Sequence, residues 1–335
     1  MLKYILKRIF ISIFVLLGVS IILYTLVRMM PSDYIDLKYA QQIAENKITQ
    51  EQVDYFKSLY GIGDKSFMGL VNGYFKWLGN LLQGNLGRSF KYEMPVADVI
   101  TQNMWISFAI AVIATIFQFL ISIPLGISSA THQYSVRDYS VTVFTMIGIS
   151  LPTYFFAAIV IKVFSVELGW FPANGLINAS KDYADTFLGQ FEKFGDIAQH
   201  LVLPIFVSVI LSLGGLMRYT RTNTLEVLSA DYIRTARAKG LSEKKVIYKH
   251  AFRNTMIPLV TLLAGILPSL FGGMMITEQV FGIDGIGRLA YLALKEGDVP
   301  FVMGYNMFLA VLTVIGTLFS DIMYSIVDPR VKLGK

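Results

Sequence analysis

The chain has 335 residues; 54% are hydrophobic and only 16% are charged, against about 25% charged in soluble domains. Its apolar residues fall in long runs, which excludes an ordinary soluble fold, and the absence of cysteine excludes disulfides, thiolate metal sites and cysteine nucleophiles. The net charge of +6 raises nucleic acid as a partner, but the distribution of that charge along the chain accounts for it as membrane topology.

Residues 1–8 carry Lys3, Lys7 and Arg8, and an apolar run follows over 9–27. The run is longer than the 7–15 residues of a signal-peptide core and lacks a small-x-small cleavage site, so it predicts a retained first membrane helix, with Arg28 at its far interface. Residues 29–104 are polar and mixed. Thr49 and Gln52 form a capping-box pair ahead of Val53, Phe56 and Leu59, and Phe67, Leu70, Val71, Tyr74, Phe75, Leu78, Leu81 and Leu82 repeat at helical spacing. Two amphipathic helices outside the membrane, or along its surface, are expected here, with Gly79, Gly84 and Gly87 breaking the second. Five further spans are predicted at 105–130, 139–165, 201–217, 257–276 and 301–327. Pro124, Pro152 and the Pro258, Gly265, Pro268, Gly272, Gly273 series predict bends in the second, third and fifth.

Six spans leave both basic termini on one side. With that side inside, the inner segments 1–8, 131–138, 218–256 and 328–335 hold 16 Lys/Arg against 5 Asp/Glu, and the outer segments hold 11 against 16. The positive-inside rule therefore selects cytoplasmic termini. No phosphate-binding loop, HExxH or zinc spacing occurs, and His132, His200 and His250 are scattered, which predicts interfacial or helix-end positions rather than ligands. Inside the spans, Asp321 predicts an ion pair with a basic residue near the inner surface, such as Arg218, Arg221 or Arg330. Glu278, past the fifth span, is open to two roles: attracting a cationic solute group, or tying the outer loop to Arg288.

The long inner segment 218–256 is patterned beyond what topology requires. A helix is predicted over 226–238, stopped by Gly240, with Ser242 capping a second through Ala251. Ala236, Ala238 and Gly240 make a small-residue patch rimmed by Arg234, Arg237 and Lys239, a surface suited to docking a soluble partner.

The stretch DYIRTARAKGL…HAFRNTMIPL resembles the cytoplasmic coupling loop of ABC-importer permeases, and most closely the B-type subunit of the oligopeptide/dipeptide branch. GNLGRSF (84–90), SLPTYFFA (150–157), LGWFPA (168–173), HLVLP (200–204), GGMMITEQVFGIDGIGRLAYLAL (272–294) and DPR (328–330) fall in the order of that family. Asn85 replaces an aspartate, and Arg234, Thr235 and Ala236 stand where the general loop has Glu-Ala-Ala. The resemblance implies an all-α type I permease fold with six membrane helices and an extracytoplasmic helical insert. It implies a multi-pass protein of the bacterial inner membrane with no catalytic residues and no cofactor of its own, because ATP and Mg belong to partner ATPases. The implied partners are a homologous second permease, two ATPase subunits, an extracytoplasmic peptide-binding protein and membrane lipid. The implied coupling residues are Asp231, Tyr232, Arg234, Ala236, Arg237, Ala238, Lys239 and Gly240. Candidates for the substrate path are Pro268, Gly272, Gly273 and Glu278, with no metal site. The close alternative is a permease for nickel, a metal chelate or another small solute of the same family. An autonomous channel or secondary transporter, or a structural membrane protein, fits the residues less well.

Overall fold

The computed structural model describes residues 2–29, 39, 43, 44, 49, 51–54, 66–260 and 262–327. Its named elements are all helical. Phe56, Leu59, Arg330 and the DPR stretch lie outside the described residues. Helix α1 (Leu2–Arg28) is followed by a turn at 51–54 in which Thr49 N donates to Gln52 Oε1 at 3.0 Å, the expected capping-box bond. Helix α2 (Phe67–Leu82) starts at Ser66, whose hydroxyl accepts from Gly69 N; Gly79 lies inside this helix and does not break it.

Helix α3 (Val96–Thr131) begins nine residues before the predicted span and runs through Pro124 without interruption. Helices α4 (Val136–Ser150) and α5 (Thr153–Val160) are set at 105° to one another across the Leu151–Pro152 break, with a π-helical extension Ile161–Glu167. Pro152 has no N–H to continue the ladder and pushes Leu151 into extended backbone. The predicted bend is present and amounts to a break.

Helix α6 (Phe187–Leu228) corrects the sequence reading most. The predicted span 201–217 is the middle of a 42-residue helix, about 63 Å long at 1.5 Å per residue. Polar ends such as Glu192, Lys193 and Arg221 hide this continuity from a hydropathy window. The predicted helix over 226–238 is two elements, because α6 ends at Leu228 and α7 (Asp231–Ala238) starts after an extended Ala230. A turn Glu243–Lys245 and a π-helical stretch Val246–Ala251 lead into α8 (Phe252–Val260) and α9 (Leu263–Phe271). Ser242 sits at the cap position without a side-chain cap bond. The predicted span 257–276 is therefore not one helix: it is interrupted between α8 and α9 and again before α10 (Met275–Val280). Helices α11 (Ile286–Lys295) and α12 (Val299–Val327) complete the fold. Among the described residues, four helices are long and apolar enough to cross a membrane by themselves, and the bent α4–α5 pair makes a fifth candidate.

Helices α3 and α6 form the central packing. Their backbones approach at Gly126, where a β-carbon would lie 2.8 Å from Met217 O, and Ser122 Oγ and Gln118 Nε2 donate to carbonyls of α6. Small residues and short polar side chains are how helices associate where lipid supplies no hydrophobic drive. One apolar core joins α1, the start of α3, α11 and the start of α12; a second joins α3, α5, α6 and the 281–283 turn.

Candidate coupling surface and interhelical clamps

Helix α7 hangs from the end of α6. Ser229 closes α6 by donating its N–H and hydroxyl to the last turn. Asp231 then occupies the first turn of α7, where a carboxylate is favoured by the helix dipole. At the other end Gly240 adopts φ +75° and donates its N–H to Arg237 O, the left-handed stop that glycine makes without a β-carbon clash. Ile233 and Ala236 are buried against Val246 and Ala251, with Val227, Leu228 and Leu241 alongside.

That packing corrects the predicted docking surface. Ala236 is only 7% exposed and faces the loop's own core. The exposed side consists of Asp231, Tyr232, Arg234, Thr235, Arg237, Ala238, Lys239 and Gly240. Arg237 is committed as well: its guanidinium donates to both oxygens of Glu243, at 2.6 and 3.2 Å, bridging the glycine elbow. That hydrogen bond holds the Glu243 carboxyl below the usual range and raises Arg237. Arg234 lies 3.8 Å from Asp231 in an exposed pair. What α7 offers a partner is thus a half-exposed Tyr232, the small Ala238–Gly240 end and the cation of Lys239.

At the opposite end, Glu278 organises the 272–288 segment. It is completely buried. Oε1 accepts from Ser107 Oγ at 2.7 Å and Met274 N at 2.9 Å, and Oε2 accepts from Arg288 N at 2.8 Å. Ser107 Oγ in turn accepts from Ile286 N. Gly273 makes the fold-back possible: at φ +70° its missing β-carbon would lie 2.4 Å from Gly287 N. The tie to Arg288 exists, but through its backbone N–H; the guanidinium pairs with Asp284 at 2.8 Å. Glu278 does not face an open path in this conformation. Of the other path candidates, Pro268 lies within α9, and Gly272 accepts the Tyr305 hydroxyl at 2.5 Å.

Sequence reasoning missed two further clamps, at Asp298 and Asp138, and for Asp321 it expected an ion pair but named other partners. Asp298, fully buried, accepts from Ser89 Oγ and the N–H groups of Phe90, Lys91 and Phe301, so it pins the GNLGRSF turn to the start of α12. At the end of α6 nearer α7, Asp138 receives Arg221 in a bidentate pair at 2.8 and 2.9 Å, with Ser129 on the same carboxylate. Asp321 pairs with Arg8 at 3.2 Å, and with neither Arg218 nor Arg221. The signal for Asp138 and Asp298 was present as acids flanking apolar runs, but the partners that make them clamps, Arg221 and Ser89, lie 83 and 209 residues away, beyond any local pattern. His200 is buried rather than at an interface or helix end, with Nδ1 2.8 Å from the Asp196 carbonyl. Among the described residues no group of three His, Asp or Glu is placed to hold a metal ion.

Comparison with known proteins accords with this architecture. Residues 122–333 match the family model described as binding-protein-dependent transport system inner membrane component. The chain is 38% identical over 333 residues to the oligopeptide transport system permease protein AppB of Bacillus subtilis, covering 99% of this chain and 100% of AppB. It is 31% identical to the dipeptide transport system permease protein DppB of Alkalihalophilus pseudofirmus, covering 99% and 100%. A chain of the MetNI methionine ABC transporter superposes with a TM-score of 0.50 at 16% identity, over 69% of this chain and 96% of that one; that likeness concerns the fold alone, the type I ABC-importer permease fold. A permease subunit rather than an enzyme, the chain belongs to the binding-protein-dependent transport system inner membrane components, proteins of the bacterial inner membrane.

Proposed function

We propose that this chain is the membrane permease of an ATP-binding-cassette importer that carries oligopeptides and dipeptides into the cell. The observation that carries the reading is the end-to-end likeness to two permeases named for those solutes. In this reading the chain crosses the bilayer six times, through α1, α3, the α4–α5 pair, α6, the broken α8–α9 segment and α12. Both termini are cytoplasmic, residues 29–104 are an extracytoplasmic insert, 105–327 are the permease core and 328–335 a cytoplasmic tail. A broken helix is tolerated at membrane depth where neighbours satisfy its freed backbone groups, which suits α8–α9, with Pro268, Gly272 and Gly273, as a wall of the solute path. Glu278 holds that wall in place rather than touching solute.

A homologous permease completes the membrane core, two ATPase subunits bind below with ATP and Mg, and an extracytoplasmic binding protein delivers the peptide. Helix α7 is the coupling element, presenting Tyr232, Ala238, Lys239 and Gly240 to a groove of the ATPase. Its apolar underside transmits movement to the start of α8, and its attachment to the end of α6 transmits it along a lever spanning the bilayer. Ala238 tests this well because it is exposed and outside the loop's core. In the assembled transporter, Ala238→Arg is expected to leave the chain inserted at normal level while abolishing ATP-dependent di- and oligopeptide uptake. Full uptake by that variant would remove α7 from the coupling role. Loss of nickel or metal-chelate uptake, with peptide uptake intact, in a strain lacking the chain would overturn the peptide assignment.

A further inference from the structure

Helix α2 is three-sided. At 100° per residue one sector carries Leu70, Gly73, Tyr74 and Trp77. It packs on α1: Tyr74 OH bonds Ser20 Oγ at 2.8 Å, and the Tyr74 and Trp77 rings stand 5.6 and 5.9 Å from that of Tyr24. A second sector carries Asn72, Lys76 and Asn80, all exposed. The third carries Phe67, Met68, Val71, Phe75, Leu78 and Leu82. No helix of the described chain covers it: Phe75 is 65% exposed and Leu82 79%.

A helix floating in water beside a protein needs two kinds of surface, one packed and one polar. A separate, contiguous apolar sector implies a third surrounding, and three features of its position say which. Helix α1 belongs to the membrane, and α2 meets it at Ser20, Tyr24 and Arg28, within its last three turns. Next to that contact Ile21, Ile22 and Leu26 of α1 are themselves exposed, so the bare sector of α2 continues the lipid-facing band of α1. Lys76 falls in the polar sector, away from the apolar one, as in helices that lie in the membrane–water interface.

We propose that α2 is an interfacial helix, seated in the headgroup region with Phe75, Met68 and Leu82 among the acyl chains, and that its partner is the lipid surface. The leaflet rests on the topology proposed above and is the outer one. Its consequence is mechanical: α2 fixes the height of the GNLGRSF turn that follows it, the turn held by Asp298.

The chain has no cysteine, so single labels are clean once the partner subunits are made cysteine-free. Phe75→Cys and Lys76→Cys, each in the full chain assembled with its transporter subunits, would be spin-labelled in nanodiscs of phosphatidylethanolamine and phosphatidylglycerol. The label at 75 is expected to collide several-fold more with oxygen than with a water-soluble nickel chelate, and the label at 76 to show the reverse. Equal aqueous access at both positions would overturn the proposal. So would a position 75 shielded from both reagents, which would mean that protein covers it. A membrane-impermeant maleimide applied to intact spheroplasts should modify Lys76→Cys; modification only after permeabilisation would overturn the outer leaflet and the topology while leaving lipid contact at 75 to be judged on its own result.

Discussion

Two regions of the molecule, the Glu278–Asp298 side and the α7 loop, are held by different physics. On the side of Glu278 and Asp298, fully buried carboxylates gather backbone N–H groups and hydroxyls from α3, the glycine fold-back and the start of α12. Within the α7 loop, the packing is four buried apolar residues, and the polar links are exposed pairs such as Arg237–Glu243. Buried charge-assisted bonds are directional and costly to leave half made; apolar contact and exposed ion pairs allow sliding at little cost. The first region is built to keep one geometry, and the second to move as a body with whatever grips it.

The largest expected effect comes from removing the centre of the rigid region. Glu278→Ala strands the Ser107 hydroxyl and the N–H groups of Met274 and Arg288 in a buried site, at about 1–3 kcal/mol each for an unmet partner, or roughly 4 kcal/mol together. Glu278→Gln keeps one acceptor and turns an amide N–H₂ toward a donor, so about half that loss is expected. Thermal unfolding of the purified chain and its steady-state level in membranes measure both. A Glu278→Gln protein with unchanged melting temperature would erase the distinction between the regions.

A smaller effect, confined in place, is expected from the mobile region. Ile233 is fully buried, and Ile233→Ala should cost about 2–4 kcal/mol by lost burial and cavity. The cost should fall on the α7 elbow rather than on the membrane core, because α7 packs on Val246 and Ala251 within the same loop. Hydrogen exchange should rise over 231–251 and stay unchanged over 272–301, with weaker ATPase association. Exchange rising equally at both would mean that the two regions unfold as one.

How far the sequence reaches follows the same division. The helical class, the capping box at Thr49, the α2 register and the stop at Gly240 were all legible, because each is written within a few residues. The fold-back at Gly272–Gly273 was visible as punctuation, but its purpose was not: the Glu278 carboxylate is satisfied by Ser107, 171 positions earlier. The same distance hid the Arg8 partner of Asp321. Helix α6 was misjudged for another reason. A hydropathy window reports continuous apolar runs, and Glu192 and Lys193 at one end and Arg218 and Arg221 at the other interrupt the run of α6. At α7 the spacing was right and the facing was wrong, because small residues fit a docking surface and a tight core equally well, and only the position of Val246 and Ala251 decides that Ala236 turns inward.

The smallest effect tests how loosely the elbow is held. The Arg237–Glu243 pair is about half exposed on each side, so it is expected to contribute roughly 0.5 kcal/mol or less, further reduced by salt. Its pH dependence has a definite sign. The folded loop lowers the Glu243 carboxyl, chiefly through the Arg237 hydrogen bond. The contribution is therefore complete above the ordinary glutamate range, near pH 4.5, and is lost as pH falls through the lowered folded value. Glu243→Gln should remove this acid sensitivity from exchange over 231–245 while leaving protection at neutral pH almost unchanged. A large loss of protection at neutral pH would mean that the elbow is fixed by this pair rather than by Ile233 and its neighbours, and the moving region would then be locked by polar bonds like the other.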